Sequence, residues 1–123
     1  MSQQSAPVSV YVSLDLAKGI AMMGSETALR GILATVAASL PDSLSQIEAA
    51  MQAADVASAN RVLHAIKGYV PIFASDALVA QVVLVEKISK SGAHVAVAAQ
   101  LADLLPGLHA LLGEIQGFIA KGQ

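Results

Sequence analysis

The sequence predicts an all-α protein, an antiparallel four-helix bundle with a short additional helix at its N-terminal end. Three observations carry that expectation. Twenty-four of the 123 residues are Ala while aromatics supply only 3%, so the apolar mass consists of small helix formers rather than the β-branched and aromatic residues of strands. Hydrophobic residues make up 55% and charged residues 13%, which suits a packed core and is unlike a disordered chain. Apolar positions recur at steps of three and four, in segments joined by only a few residues, and such short connections make neighbouring helices antiparallel.

Residues 1–13 contain Ser, Gln, Pro7 and the alternation Val8, Val10, Val12, and are expected to form a flexible lead. The bundle domain is expected over 14–123. A short first helix places Leu14, Ala17, Ala21 and Met22 on one face and stops at Gly24, a residue suited to the position just past a helix end. Ser25 is the expected N-cap of a second helix running to about Ala54, with Glu26 in its first turn and Leu29, Ile32, Leu33, Val36, Leu40, Leu44, Ile47 and Met51 as its stripe. Pro41 should kink or break that helix near Leu40. Asp55 caps a third helix with the stripe Val56, Ala59, Leu63, Ile66 and Val70, which Pro71 should bend or end about two turns beyond His64. Ser75 opens a fourth with Leu78, Val82, Val85 and Ile88, closed by Ser91 and Gly92. The fifth, from about Ala93 to Ala120, carries Val97, Leu101, Leu104, Leu105, Leu108, Leu111, Leu112, Ile115 and Ile119, with a kink expected at Pro106 and Gly107.

Composition narrows the function. Seven basic and nine acidic residues give a net charge of −2, so neither nucleic acid nor an anionic membrane is an expected partner. The chain has no Cys, which removes disulfides, thiolate zinc sites and cysteine nucleophiles, and makes a cytoplasmic setting the default. The N-terminus lacks a basic and apolar leader, and no uninterrupted apolar run approaches the ~20 residues of a membrane span. A P-loop, a kinase-type Gly-rich loop and a dense carboxylate cluster for Mg²⁺ are all missing from the sequence, so no cofactor is expected on this chain.

Three histidines remain as groups that titrate near neutral pH. His64 falls about 135° from the core stripe of the third helix, on the outer face with Ala57, Asn60, Gly68 and Pro71. Lys67 follows it by one turn and Gly68 lies four residues on. A mid-helix Gly costs about 0.5 to 1 kcal/mol relative to Ala, so its place beside an exposed imidazole in an Ala-rich chain indicates that open space is needed there for a partner. His94 and His109 have no such companions and are expected to be ordinary surface residues; no metal site is expected. Met22, Met23 and Met51 are expected core fillers. Asp42, Glu48 and Asp103 are expected solvated charges.

The stretch Ala59-Asn60-Arg61-Val62-Leu63-His64-Ala65-Ile66-Lys67-Gly68, with Leu78 fourteen residues and Glu86 twenty-two residues after His64, resembles the histidine-containing phosphotransfer (HPt) family of two-component phosphorelays. Its hallmark is His-x-apolar-Lys-Gly, and the likeness runs from about Leu14 to Ala120. Ala74 and Tyr69 stand where that family favours Gly and a small residue. The resemblance implies a phosphocarrier without turnover of its own: His64 accepts a phosphoryl group from a receiver-domain phospho-aspartate, or from a kinase, and passes it to another receiver aspartate. It implies Lys67 as the charge that orients the phosphoryl group, and Gly68, Asn60, Arg61 and Pro71 as the docking residues. Glu86 is expected to be mainly structural. Response-regulator receiver domains and a hybrid sensor kinase are the implied partners, with Mg²⁺ on the receiver and this chain a monomer. Two alternatives stand beside it: a degenerate bundle that only docks a partner, and the isolated module of a larger hybrid histidine kinase.

Overall fold

The computed structural model describes residues 11–122, and its elements are α1 (Leu16–Met23), α2 (Glu26–Gln52), α3 (Val56–Phe73), α4 (Asp76–Ser89) and α5 (His94–Lys121). Four of the five helices begin on a side chain that takes an otherwise unpaired backbone N–H: Asp15 accepts from Lys18, Ser25 from Ala28, Asp55 from Ser58 and Ser75 from Leu78. The caps expected at Ser25, Asp55 and Ser75 are thus in place. Gly24 ends α1 in the left-handed region at φ 93°, donating its N–H to Ile20.

In the bundle α3 packs between α2 and α4, α5 closes the ring against α4 and α2, and α1 lies across α2 and α3. The periodic stripes become one core: Leu29, Leu33, Val36, Leu40, Leu44 and Ile47 from α2, Leu63, Ile66, Val70 and Phe73 from α3, Val82 and Val85 from α4, and Val97 to Ile115 from α5. This packing accounts for the hydropathy of α5, which is long and apolar enough to cross a membrane by length and composition; apart from Val95, its large apolar side chains face the other helices.

The break that was one of the two outcomes expected at Pro41 does not occur. Both α2 and α5 run unbroken, through Pro41 and Pro106 respectively. Each proline is exposed, so the ring points outward and water can satisfy the carbonyl that loses its partner. In α3 the helix ends at Phe73, two residues beyond Pro71, in keeping with the expected end there.

The face of α1 differs from expectation. Ala17 and Ala21 are exposed and Met22 is 61% exposed, so Met22 is not a core filler, while Leu16, Ile20 and Met23 pack against the core. The cause is Gly19, where an added Cβ would stand 2.7 Å from the Leu29 side chain. That close approach of backbone to α2 fixes which side of a two-turn helix is inward. Residues 1–10 of the expected lead lie outside the described residues. Residues 11–13 are held in place rather than loose: Glu114 of α5 accepts the backbone N–H groups of Val12, Ser13 and Leu14 at 3.2, 2.9 and 2.8 Å. Ser13 is buried and accepts from Ser75 N–H, Asp15 N–H donates to Phe73, and Leu14 forms an isolated antiparallel bridge with Ala74. This strap ties α5 to the α3–α4 connection.

Candidate functional site

The middle of α3 carries His64 on its outer side, 69% exposed, as its angular position requires. Its Nδ1 lies 3.4 Å from Glu86 Oε2, and the Glu86 carboxylate is itself only 1% exposed. Lys67 Nζ donates to the other oxygen, Oε1, at 3.1 Å, and Lys90 Nζ stands 3.8 Å from the same atom. One buried carboxylate therefore joins an imidazole and two ammonium groups drawn from two helices. Burial pushes the Glu86 carboxyl up, but the hydrogen bond and charge of Lys67, the charge of Lys90 and the Asn60 amide outweigh it. They hold the group below its ordinary value of 4.5.

Glu86, expected to be mainly structural, is the buried group on which His64, Lys67 and Lys90 converge. The signal in the sequence was its register: with Val82, Val85 and Ser89 it falls on the inward side of α4, where an unpaired carboxylate is too costly to keep. A charge there requires partners, and α3 supplies them.

Asn60, expected on the docking face, turns its amide toward α4. Its Nδ2 donates to Ser89 Oγ at 2.8 Å and to the Glu86 backbone carbonyl at 3.2 Å, and Ser89 Oγ donates to that same carbonyl. Asn60 thereby fixes the turn of α4 on which Glu86 sits. It is turned inward because Ser89 and the Glu86 carbonyl, buried polar groups, need partners. Arg61 is exposed and donates to Ser58 Oγ, which donates in turn to Asp55. The Ser58 hydroxyl and N–H, helped by the Arg61 charge, hold the Asp55 carboxyl below its usual range. These residues edge an open groove of about 640 Å³ between α2 and α3, lined further by Ala49, Ala53, Val62 and Ala65. Gly68 is exposed, and a Cβ added there would meet nothing within 4 Å. Pro71 is half-buried in the last turn of α3.

The other two histidines sit on α5, apart from this cluster. The exposed His94 ring has Nε2 2.9 Å from the Met51 carbonyl, and His109 Nε2 is 3.7 Å from Glu48 Oε2. Among the described residues no three His, Cys, Asp or Glu side chains gather as a metal site. Tyr69, one of the two departures from the motif, stacks on Phe73, and burial raises its hydroxyl to about 12. Ala74, the other, is fully buried opposite Leu14.

The site on this all-helical bundle is thus an exposed imidazole backed by a buried carboxylate and flanked by Lys67 and Gly68. The model of the Hpt domain matches residues 31–118. The chain belongs to the Hpt domain family, whose members are phosphotransfer modules of two-component systems that interact with receiver domains. No curated protein and no solved structure gives a match of significance.

Proposed function

We propose that this protein carries a phosphoryl group on His64 between receiver aspartates of a phosphorelay. The observation that carries the proposal is the pairing of an exposed imidazole with a buried acceptor at one nitrogen only. Glu86 Oε2 beside Nδ1 favours the tautomer with the proton on Nδ1, because a carboxylate accepts and cannot donate. The lone pair then resides on Nε2, free to attack phosphorus in line. In the transfer, the P–O bond of the aspartyl phosphate breaks as the P–Nε2 bond forms, and the receiver's carboxylate leaves. The ring gains positive character, which the Nδ1–H contact to Glu86 stabilises. The reverse step returns the group to another aspartate. Lys67 neutralises Glu86 and places a cation beside the phosphoryl oxygens; Gly68 keeps the approach open.

Incubation with a labelled phospho-receiver tests this reading. Label should appear in an acid-labile, base-stable form, and His64→Gln should abolish it while changing stability by no more than about 0.5 kcal/mol, as expected for an exposed side chain. Label retained in His64→Gln would move the chemistry to another residue, and a chain that binds receivers but never takes label would be a docking module alone.

A further inference from the structure

We propose that Lys90 is a positioning residue for the transfer: when Lys67 turns to the phosphoryl group on His64, Lys90 replaces it as the counter-ion of Glu86. The inference rests on the phosphoacceptor reading of His64. Both ammonium groups address one atom. Lys67 Nζ donates to Glu86 Oε1 at 3.1 Å, and Lys90 Nζ stands 3.8 Å from the same oxygen, just beyond hydrogen-bond reach. The other oxygen, Oε2, faces the Asn60 amide and the His64 ring, each at 3.4 Å. Asn60 brings no charge. The carboxylate is 1% exposed, so water cannot stand in for a cation that leaves it, and a buried charge without a partner is too costly to keep.

Register makes the exchange possible. Lys90 follows Glu86 by four residues, the spacing and order at which a helix sets a lysine beside a glutamate. Lys67 comes across from α3, one turn after His64. The Lys90 side chain is 58% exposed, and its flexible four-carbon stem is free to swing the ~1 Å that turns its contact into a hydrogen bond. Charge gives the exchange its reason. One carboxylate set against two ammonium groups leaves one positive charge in excess. A phosphoryl dianion on Nε2 draws on that excess: Lys67, on the helix of His64, moves to its oxygens, and Lys90, on the helix of Glu86, keeps the carboxylate paired. With a single lysine, one of the two anions would stand without a cation. Glu86 therefore stays ionised throughout and keeps its hold on His64 Nδ1.

The experiment labels His64 with phosphoramidate, a donor too small to need docking: its P–N bond breaks as the P–Nε2 bond forms, and ammonia leaves. Lys90→Gln should slow labelling about twofold to fivefold with helical circular dichroism unchanged, and Lys90→Arg should restore part of the rate by returning the charge. Lys87 is exposed and has no ion pair among the described residues. Lys87→Gln removes the same charge from the same helix without touching Glu86, and should label at the parent rate. Nitrogen–proton NMR spectra of the lysine ammonium groups follow the exchange itself. On phosphorylation the Lys90 signal should sharpen as its protons gain an acceptor, and the Lys67 signal should shift as it changes partner. A parent rate of labelling in Lys90→Gln overturns the proposal, as does an equal loss in Lys87→Gln, which would make net charge the only requirement. A Lys90 or Lys67 signal that phosphorylation leaves unchanged overturns it as well. Failure of phosphoramidate to label His64 in the parent protein refutes the phosphoacceptor reading itself, and the role of Lys90 falls with it.

Discussion

Replacing Glu86 by Gln keeps the shape of the side chain and removes the charge on which Lys67, Lys90 and His64 converge. The magnitude follows from the contacts. A hydrogen bond to a charged group contributes about 1.5 to 3 kcal/mol when well formed, but the Lys67 side chain is 30% exposed and Lys90 is both farther and 58% exposed. Solvent can take up both ammonium groups, which reduces the expected loss to about 1 to 2 kcal/mol. In a domain of this size that corresponds to a fall in Tm of roughly 3 to 10 °C. The pH dependence has a definite sign. The folded carboxyl lies below its ordinary value of 4.5 because, although burial raises it, the lysines and Asn60 lower it further. The unfolded chain therefore binds more protons near that value, and the stabilisation is complete above it and lost as pH falls through the depressed folded value. Urea unfolding of parent and Glu86→Gln should thus diverge at pH 7 and converge in acid. Labelling of His64 by phosphoramidate should slow as well, since a neutral amide stabilises the developing imidazolium less. Lys67→Ala, which removes the chief partner, should slow it by roughly tenfold, and Lys67→Arg should restore part of the rate. Equal stability and equal labelling rates for Glu86→Gln and the parent at pH 7 would refute the role assigned to Glu86.

Glu114→Ala should cost about 1.5 to 3 kcal/mol by leaving three strap N–H groups without their charged acceptor, read as a shift in the urea midpoint together with faster amide exchange at Ser13 and Leu14. The two helical glycines of α1 and α3 should respond oppositely to Ala. Gly68→Ala should stabilise by about 0.5 to 1 kcal/mol, because nothing lies within 4 Å of the new Cβ. Gly19→Ala should destabilise despite the better propensity, because the Cβ would collide with Leu29; thermal unfolding of both variants checks the contrast.

The strap illustrates how far local sequence reaches. Nothing in residues 11–14 distinguishes a frayed tail from an anchored one, because the anchor, Glu114, lies 100 to 102 positions away. Within a helix, by contrast, the relevant partners are three or four residues apart, and the sequence by itself determined the caps at Ser25, Asp55 and Ser75, the core stripe of α3 and the outward place of His64. Periodicity states which side of a helix is inward. It does not state which neighbour covers that side, so tertiary structure alone decided that Glu86 faces His64 and Lys67 and that Asn60 turns to Ser89 across 29 positions. Two-turn α1 shows the same limit from the other side: eight residues carry too weak a stripe to fix a face, and the contact of Gly19 with Leu29 settled it. The physical reason is common to all three cases. Hydrogen bonds and periodic burial within one helix are set by neighbours in the chain, whereas the pairing of buried charges and the closest approaches of backbone exist only once the helices have packed.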